Sequence, residues 1–166
     1  MVLLLNGADG GVRLAEPRDI ADIRSVHKAA LYGLCCGFYE ASQLAGWSKA
    51  FSAAVSHLFE EEDSVLYVAE HEGVLAGFGL RKGHIICALY IRPEFAGLGL
   101  GRELMQHLES SSVFAETQEC VRFSVSASLN AIGFYEQLGY VEDGVDEMLL
   151  PDGIVLPCVA MHKDTC

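Results

Sequence analysis

The sequence predicts a single α/β domain in which helices pack against a mixed sheet. Three observations carry that prediction. The chain has 166 residues, a usual length for one domain and enough to bury a core without cross-links. Hydrophobic residues make up 51% and charged residues 20%, which excludes intrinsic disorder. The apolar pattern switches between helical and strand periods along the chain. The resulting order, β-α-α-β-β-β-α-β-α-β-β, mixes hairpins with crossovers, as a mixed-sheet sandwich requires. With no internal repeat, linker or low-complexity tract, residues 1–166 form one domain, and 1–11 are expected to be a flexible N-terminus.

A short strand is expected over Val12–Ala15, and Pro17-Arg18-Asp19 then starts a helix. Ile20, Ile23, His27 and Ala30/Leu31 recur at helical spacing and face the core. Gly33 to Gly37 is expected to break this helix. A second helix carries Leu44, Trp47, Phe51, Ala54/Val55 and Leu58 on one face, and the acidic run Glu60–Asp63 marks its exposed end. Three strands follow: Ser64–Glu70, a turn at Glu72-Gly73, Val74–Lys82, and His84–Ile91, which Pro93 ends. Leu100, Leu104 and Leu108 align as a helix, and Cys120–Ser126 alternates as a strand. Ala131, Phe134/Tyr135 and Leu138 form the inner stripe of a short helix that Gly139 stops. Val141–Leu150 and Ile154–His162 close the sheet as a hairpin around Pro151-Asp152-Gly153.

Charge narrows the function. Eleven basic against 23 acidic residues give a net charge of −12. Nucleic-acid binding needs the opposite sign, and so does a polybasic membrane anchor. No segment approaches the roughly 18 apolar residues of a spanning helix. Met1 to Leu5 is apolar, but no basic region precedes it, so it does not resemble a signal peptide. A soluble cytoplasmic protein is expected. The six cysteines form no CxxC pair and fit neither a zinc site nor a disulfide framework; no metal site is expected. Cys87 and Cys158, in apolar runs, are expected to pack as small hydrophobes. Cys35–Cys36 is the pair to watch for a reactive thiol.

Ala96-Gly97-Leu98-Gly99-Leu100-Gly101-Arg102 lies between an apolar strand and an amphipathic helix. Glycines there let a ligand approach the backbone, and successive N–H groups can face an anion. The helix adds its N-terminal partial positive charge. Arg at position 102 breaks the GxGxxG spacing, and no Gly-Lys-Ser/Thr follows, so dinucleotide-fold and P-loop readings both lose their motif.

IRPEFAGLGLGRELMQHLE resembles the signature of the GNAT superfamily of acyl-CoA N-acyltransferases, whose loop reads Arg/Gln-x-x-Gly-x-Gly/Ala. SASLNAIGFYEQLGY, at the expected distance, resembles the family's second segment, Asn-Ala-x-x-Phe-Tyr-x-x-x-Gly-Tyr/Phe. The opening VRLAEPRDIADIRSVHKAA and the closing LPCVAMHK are also similar to the family's. The resemblance implies a mostly antiparallel sheet whose parallel central strands splay apart, with acetyl-CoA bound in the cleft between them. It implies that Leu89, Tyr90 and Ile91 hydrogen-bond the pantetheine arm. Gly97, Leu98, Gly99, Leu100, Gly101 and Arg102 fall on the pyrophosphate loop. Asn130 matches a residue that contacts the cofactor near its thiol, or it caps the next helix. Tyr135 matches the usual general acid. The family's first loop Arg or Gln is Ala96 here, so phosphate binding must lean on the backbone and Arg102.

Acyl transfer to an amine requires a neutral amine, whose ordinary pKa is about 10.4, and a proton for the departing thiolate. The strand His84–Ile91 has no carboxylate; the family's occasional Glu on this strand corresponds to Ile85. The base stays open between water, a backbone carbonyl and His84, with Glu70 a weaker candidate. Tyr135, on the inner stripe of its helix, can supply the thiolate's proton. Tyr32 and Tyr39, near the Gly33–Tyr39 break, are expected to line the acceptor pocket, whereas Trp47 and His27 are expected in the core. The acidic charge favours a cationic amine acceptor. Transfer of acetyl from acetyl-CoA to a primary amine of a small molecule, in a ternary complex, is the expected function. The alternative is an acyl-CoA-binding sensor without turnover. The edge strands leave a homodimer open.

Overall fold

A computed structural model describes residues 10–110 and 120–165. The expected flexible segment falls outside them up to residue 9, and the Gly11 carbonyl accepts the Glu70 amide at 3.0 Å. Strands β1 (Val12–Leu14), β2 (Ser64–His71), β3 (Val74–Lys82) and β4 (Ile85–Ile91) are consecutive antiparallel neighbours. Parallel to β4 runs β5 (Val121–Ser128). Then β7 (Val155–Thr165) and the edge strand β6 (Val141–Leu149) complete a seven-stranded sheet in the order β1-β2-β3-β4-β5-β7-β6. This is the mixed, mostly antiparallel sheet with one parallel central pair that the sequence implies. The β2–β3 turn works because Glu72 and Gly73 both take positive φ, 51° and 75°, as tight primed hairpin turns demand.

Helices cover both faces of the sheet. On one face, α1 (Ile20–Ala30) buries Ile23 and Val26 against Phe78, Leu80 and Ala88. Helix α2 (Ala41–Ala54) lies beside it and buries Leu44 and Trp47. On the other face, α3 (Leu100–Ser110) buries Leu100, Leu104, Met105 and Leu108, and α4 (Ile132–Gln137) buries Tyr135. Neighbours on β3 show both layers. Phe78 sits in the α1 core, while a β-carbon on Gly79 would meet Leu108 of α3 at 2.8 Å. No helix among the described residues is long and apolar enough to cross a membrane.

Three expectations need correction. The break expected over Gly33–Gly37 comes only after Cys35: the first helix runs past Gly33 through a π-helical turn, Leu31–Cys35. Glycine is needed there because a β-carbon would collide with the Pro93 side chain. Cys87 is exposed rather than packed, because it is the extra residue of a bulge in β4: Leu80 pairs with Ala88 and Arg81 with Ile86, and Cys87 has no partner. Cys120 is disulfide-bonded, although the scattered cysteines suggest no such framework. Cys158 is buried as expected.

Candidate active site

The site begins with a failure of pairing. Strands β4 and β5 pair only at Ile85–Ser124 and Ile86–Val125, yet β4 runs on to Ile91 and β5 to Ser128. Beyond Ile86 the two strands part, and the outer peptide groups of Ala88–Ile91 have no strand partner. The Cys87 bulge also reverses which layer each side chain meets, since one extra residue shifts the two-residue alternation. Ile86 packs with Met105, Leu108 and Phe123, whereas Ala88 packs with Ile23, Val26 and Phe78. A wedge therefore opens in the middle of the sheet.

A cavity of about 510 Å³ enters this wedge from one side, between Leu89, Tyr90 and Ile91 of β4 and Asn130, Phe134 and Tyr135 beyond β5. Its far end is the glycine loop. Gly97 and Gly99 have φ of 79° and 85°, backbone that L side chains rarely adopt, and nothing lies within 4 Å of where their β-carbons would stand. Loop and cap hydrogen bonds tie the Ala96 amide to Pro93 and the Glu103 amide to Gly99, and among the described residues none starts from residues 97–102. A run of unpaired N–H groups thus opens α3, and these residues fit a bound diphosphate. Arg102 lines the same end. Leu98 does not line the cavity; its side chain is 55% exposed, so only its amide belongs to the loop. Ala96 lines the cavity without adding a polar side chain.

Asn130 lines the cavity, and its Oδ1 accepts the Cys35 thiol at 3.3 Å. It does not cap α4, whose N-cap is Ala131 and has no side-chain cap bond. Burial pushes the Cys35 thiol up to about 11, which keeps it protonated and unreactive at neutral pH.

A second cavity, about 40 Å³, meets the wedge from the other side. Tyr39, Trp47, Cys87, Ser126, Met148, Leu156 and Cys158 line it. Leu89, Tyr90, Ser128, Ala131 and Tyr135 border both cavities. The Tyr90 ring packs edge-on against His27 at 4.6 Å and Trp47 at 6.2 Å between ring centroids. Tyr135 is 5% exposed, and no described residue hydrogen-bonds its hydroxyl. Burial raises its pKa well above that of an ordinary phenol. A buried donor without a protein partner, on a residue that borders two cavities, is poised to serve a ligand.

The other candidates divide. Tyr39 borders the small cavity, but its hydroxyl donates to the Pro157 carbonyl at 2.7 Å and accepts the Leu129 amide at 3.0 Å. It is a wall with its polar end occupied. Tyr32 lies outside: it is 43% exposed and lines neither cavity, because the π turn points it to solvent. Trp47 and His27 are core residues as expected, and Trp47 is wall as well. His27 stacks on Phe51 at 4.0 Å, and burial pushes it down to about 3, so it is neutral and no base at pH 7. His84 and Glu70 line neither cavity, and Glu70 pairs with Arg13 at 2.9 Å. No carboxylate or imidazole among the described residues lines either cavity. Ser126, Met148, Leu156 and Cys158 went unsought in the sequence, since nothing in a β-hairpin's own pattern says what its face will meet.

Comparison with known proteins decides the family. The model of the acetyltransferase (GNAT) domain matches residues 36–163. The chain belongs to that family. A GCN5-related N-acetyltransferase from Rhodopseudomonas palustris is 25% identical, superposes with a TM-score of 0.83, and is matched over 93% of this chain and 95% of that one. PaiA N-acetyltransferase from Thermoplasma acidophilum, in complex with coenzyme A, is 15% identical over 94% and 99%, with a TM-score of 0.70. A spermidine N-acetyltransferase SpeG mutant from Vibrio cholerae is 16% identical over 95% of each chain, with a TM-score of 0.60. No curated protein matches the chain in sequence. The GNAT fold implied by the two motifs is thus the fold observed, and the acyltransferase class follows from the family.

Proposed function

We propose that the chain is an N-acetyltransferase that takes its acetyl group from acetyl-CoA in the large cavity and passes it to a primary amine held at the small one. One observation supports this most: Tyr135, the buried phenol with a free hydroxyl, borders both cavities where β4 and β5 part. Bound acetyl-CoA supplies the thioester carbonyl that the amine attacks. The amides of Gly97 to Arg102 hold the anionic end through charge-assisted hydrogen bonds. The peptide groups of Leu89 and Ile91 that face away from β3 add the arm as a surrogate strand, and Tyr90, whose own peptide groups pair with Phe78, borders it. Asn130 turns its amide toward the thiol end. Tyr135 donates its proton to the departing sulfur, and the proton shed by the nitrogen restores the phenol. The raised pKa keeps Tyr135 protonated between turnovers. With no carboxylate or imidazole among the described residues at either cavity, the acceptor loses its first proton to water and reacts as the free amine. Two cavities meeting at one phenol suit direct transfer in a ternary complex.

A second reading, an acyl-CoA-binding sensor, is favoured by that same lack of a protein base. A panel of primary amines, assayed with acetyl-CoA by the free thiol of released CoA, separates the two. Amine-dependent thiol release supports the transferase. Acetyl-CoA binding with no release under any amine supports the sensor, and failure to bind acetyl-CoA removes both.

A further inference from the structure

Resting on the transferase reading, we propose that Asp146 anchors a second cationic group of the acceptor, so that the chain selects linear diamines or polyamines over monoamines. Strand register brings Asp146 beside the small cavity. On β6, Asp146 stands directly opposite Cys158 of β7, and Met148 opposite Leu156. Cys158, Met148 and Leu156 all line the small cavity. Directly opposed residues, and residues two apart on one strand, share a face of the sheet. Asp146 therefore carries its carboxylate on the same face, just past the cavity wall. The charge is felt there: the Cys158 thiol is pushed up first by burial and next by Asp146.

The carboxylate is also available. Asp146 is exposed; among the described residues it accepts only the Glu147 amide, at 2.8 Å, and has no cationic partner in an ion pair. Its neighbours on this face are already matched: Asp143 with His162 at 2.8 Å, and Asp164 with Arg122 at 2.7 Å. At the other end of the track stands Tyr135, buried and with its hydroxyl free. Asp146, Cys158 and Ser128 stand side by side across β6, β7 and β5, so Asp146 is about 10 Å at the usual strand spacing from Ser128, which borders both cavities together with Tyr135. A slender chain with an amine at each end spans that distance, while a cavity of about 40 Å³ excludes bulky rings near Tyr135. Aromatic walls at Tyr39, Trp47 and Tyr90 favour a cationic or alkyl chain passing over them.

The test compares KM for diaminobutane and diaminooctane with KM for butylamine and octylamine, in wild type, Asp146→Asn and Glu147→Gln. Glu147 faces the opposite side, opposed to Pro157, so its variant removes the same charge from the wrong face. Wild type is expected to take diaminooctane at a lower KM than octylamine. Asp146→Asn should shrink that advantage by about fivefold, the upper range for an exposed ion pair, and Glu147→Gln should leave it. An equal ratio in wild type and Asp146→Asn, or an equal loss in both variants, overturns the proposal. If acetyl-CoA binds but no amine is acetylated, the transferase reading fails by itself. Calorimetry of diaminooctane against the CoA-loaded protein then judges Asp146: binding weakened in Asp146→Asn supports it, and no binding in wild type overturns it.

Discussion

The two cavities of the wedge are built from different materials. The anion-binding end and the β4 wall of the large one are made of backbone: unpaired amides at the start of α3 and unpaired peptide groups along β4. The small one is made of side chains from β4, β5, β6, β7 and α2. Backbone chemistry is the same whatever side chains surround it, so it suits a ligand that never varies. Side chains can be exchanged singly without disturbing the sheet, so they suit an acceptor that differs from one protein to the next. Tyr135 stands at the seam and belongs to both.

The comparison can be broken at each side. The largest effect is expected from Gly99→Val. A β-branched residue at φ 85° forces the loop to refold and turns its amides away. Losing one or two charge-assisted hydrogen bonds should weaken acetyl-CoA binding by roughly 10²-fold, read by calorimetry, while the melting temperature falls only modestly. A moderate effect is expected from Met148→Phe, which fills the small cavity. The acceptor's KM should rise by about tenfold and the dissociation constant of acetyl-CoA should stay put. Equal damage to both ligands would show that the cavities are not separate.

The smallest effect concerns the wall behind Tyr90. His27 is held neutral in the fold, pushed from 6.5 to about 3 by burial. Below pH 6.5 the unfolded chain therefore binds a proton that the folded chain refuses. Stability should fall by about 1.4 kcal/mol per pH unit on acidification between those values and be unaffected above them. His27→Leu should flatten that slope in urea titrations run from neutral pH down to about 4, and leave both substrate constants unchanged.

The same contrast explains what was legible in the sequence. The glycine loop is local: Gly97 and Gly99 carry their conformation and their chemistry within a few residues, so the anion cradle could be found before any fold was known. Tyr135 could be found because Asn130 and Tyr140 bracket it in one short segment. The order of elements along the chain followed from alternating strand and helix periods, but the order of strands in the sheet did not. The acceptor side had no such signal. Met148 and Cys158 reach it only through the β6–β7 register, and that register slips between Glu142 and Gly144. Tyr32 looked as promising as Tyr39, but Gly33 packs against Pro93 and sustains a π turn that sends Tyr32 outward. Cys87 resembled a core residue, and the bulge that exposes it has no local sequence mark.

Transfer turns on the hydroxyl shared by the two cavities, and Tyr135→Phe removes it with almost no change in volume. Steady-state turnover with an accepted amine should show kcat lowered by about 10²–10⁴-fold, the usual share of general acid catalysis. KM for acetyl-CoA should move little, because the contact matters in the transition state. The wild-type rate should rise with the free fraction of the amine and show no falling limb near pH 10, since burial holds the Tyr135 phenol above its ordinary value of 10.0. A folded variant, with its melting temperature intact and kcat within about twofold of wild type where chemistry limits the rate, would make Tyr135 a wall residue and contradict the account.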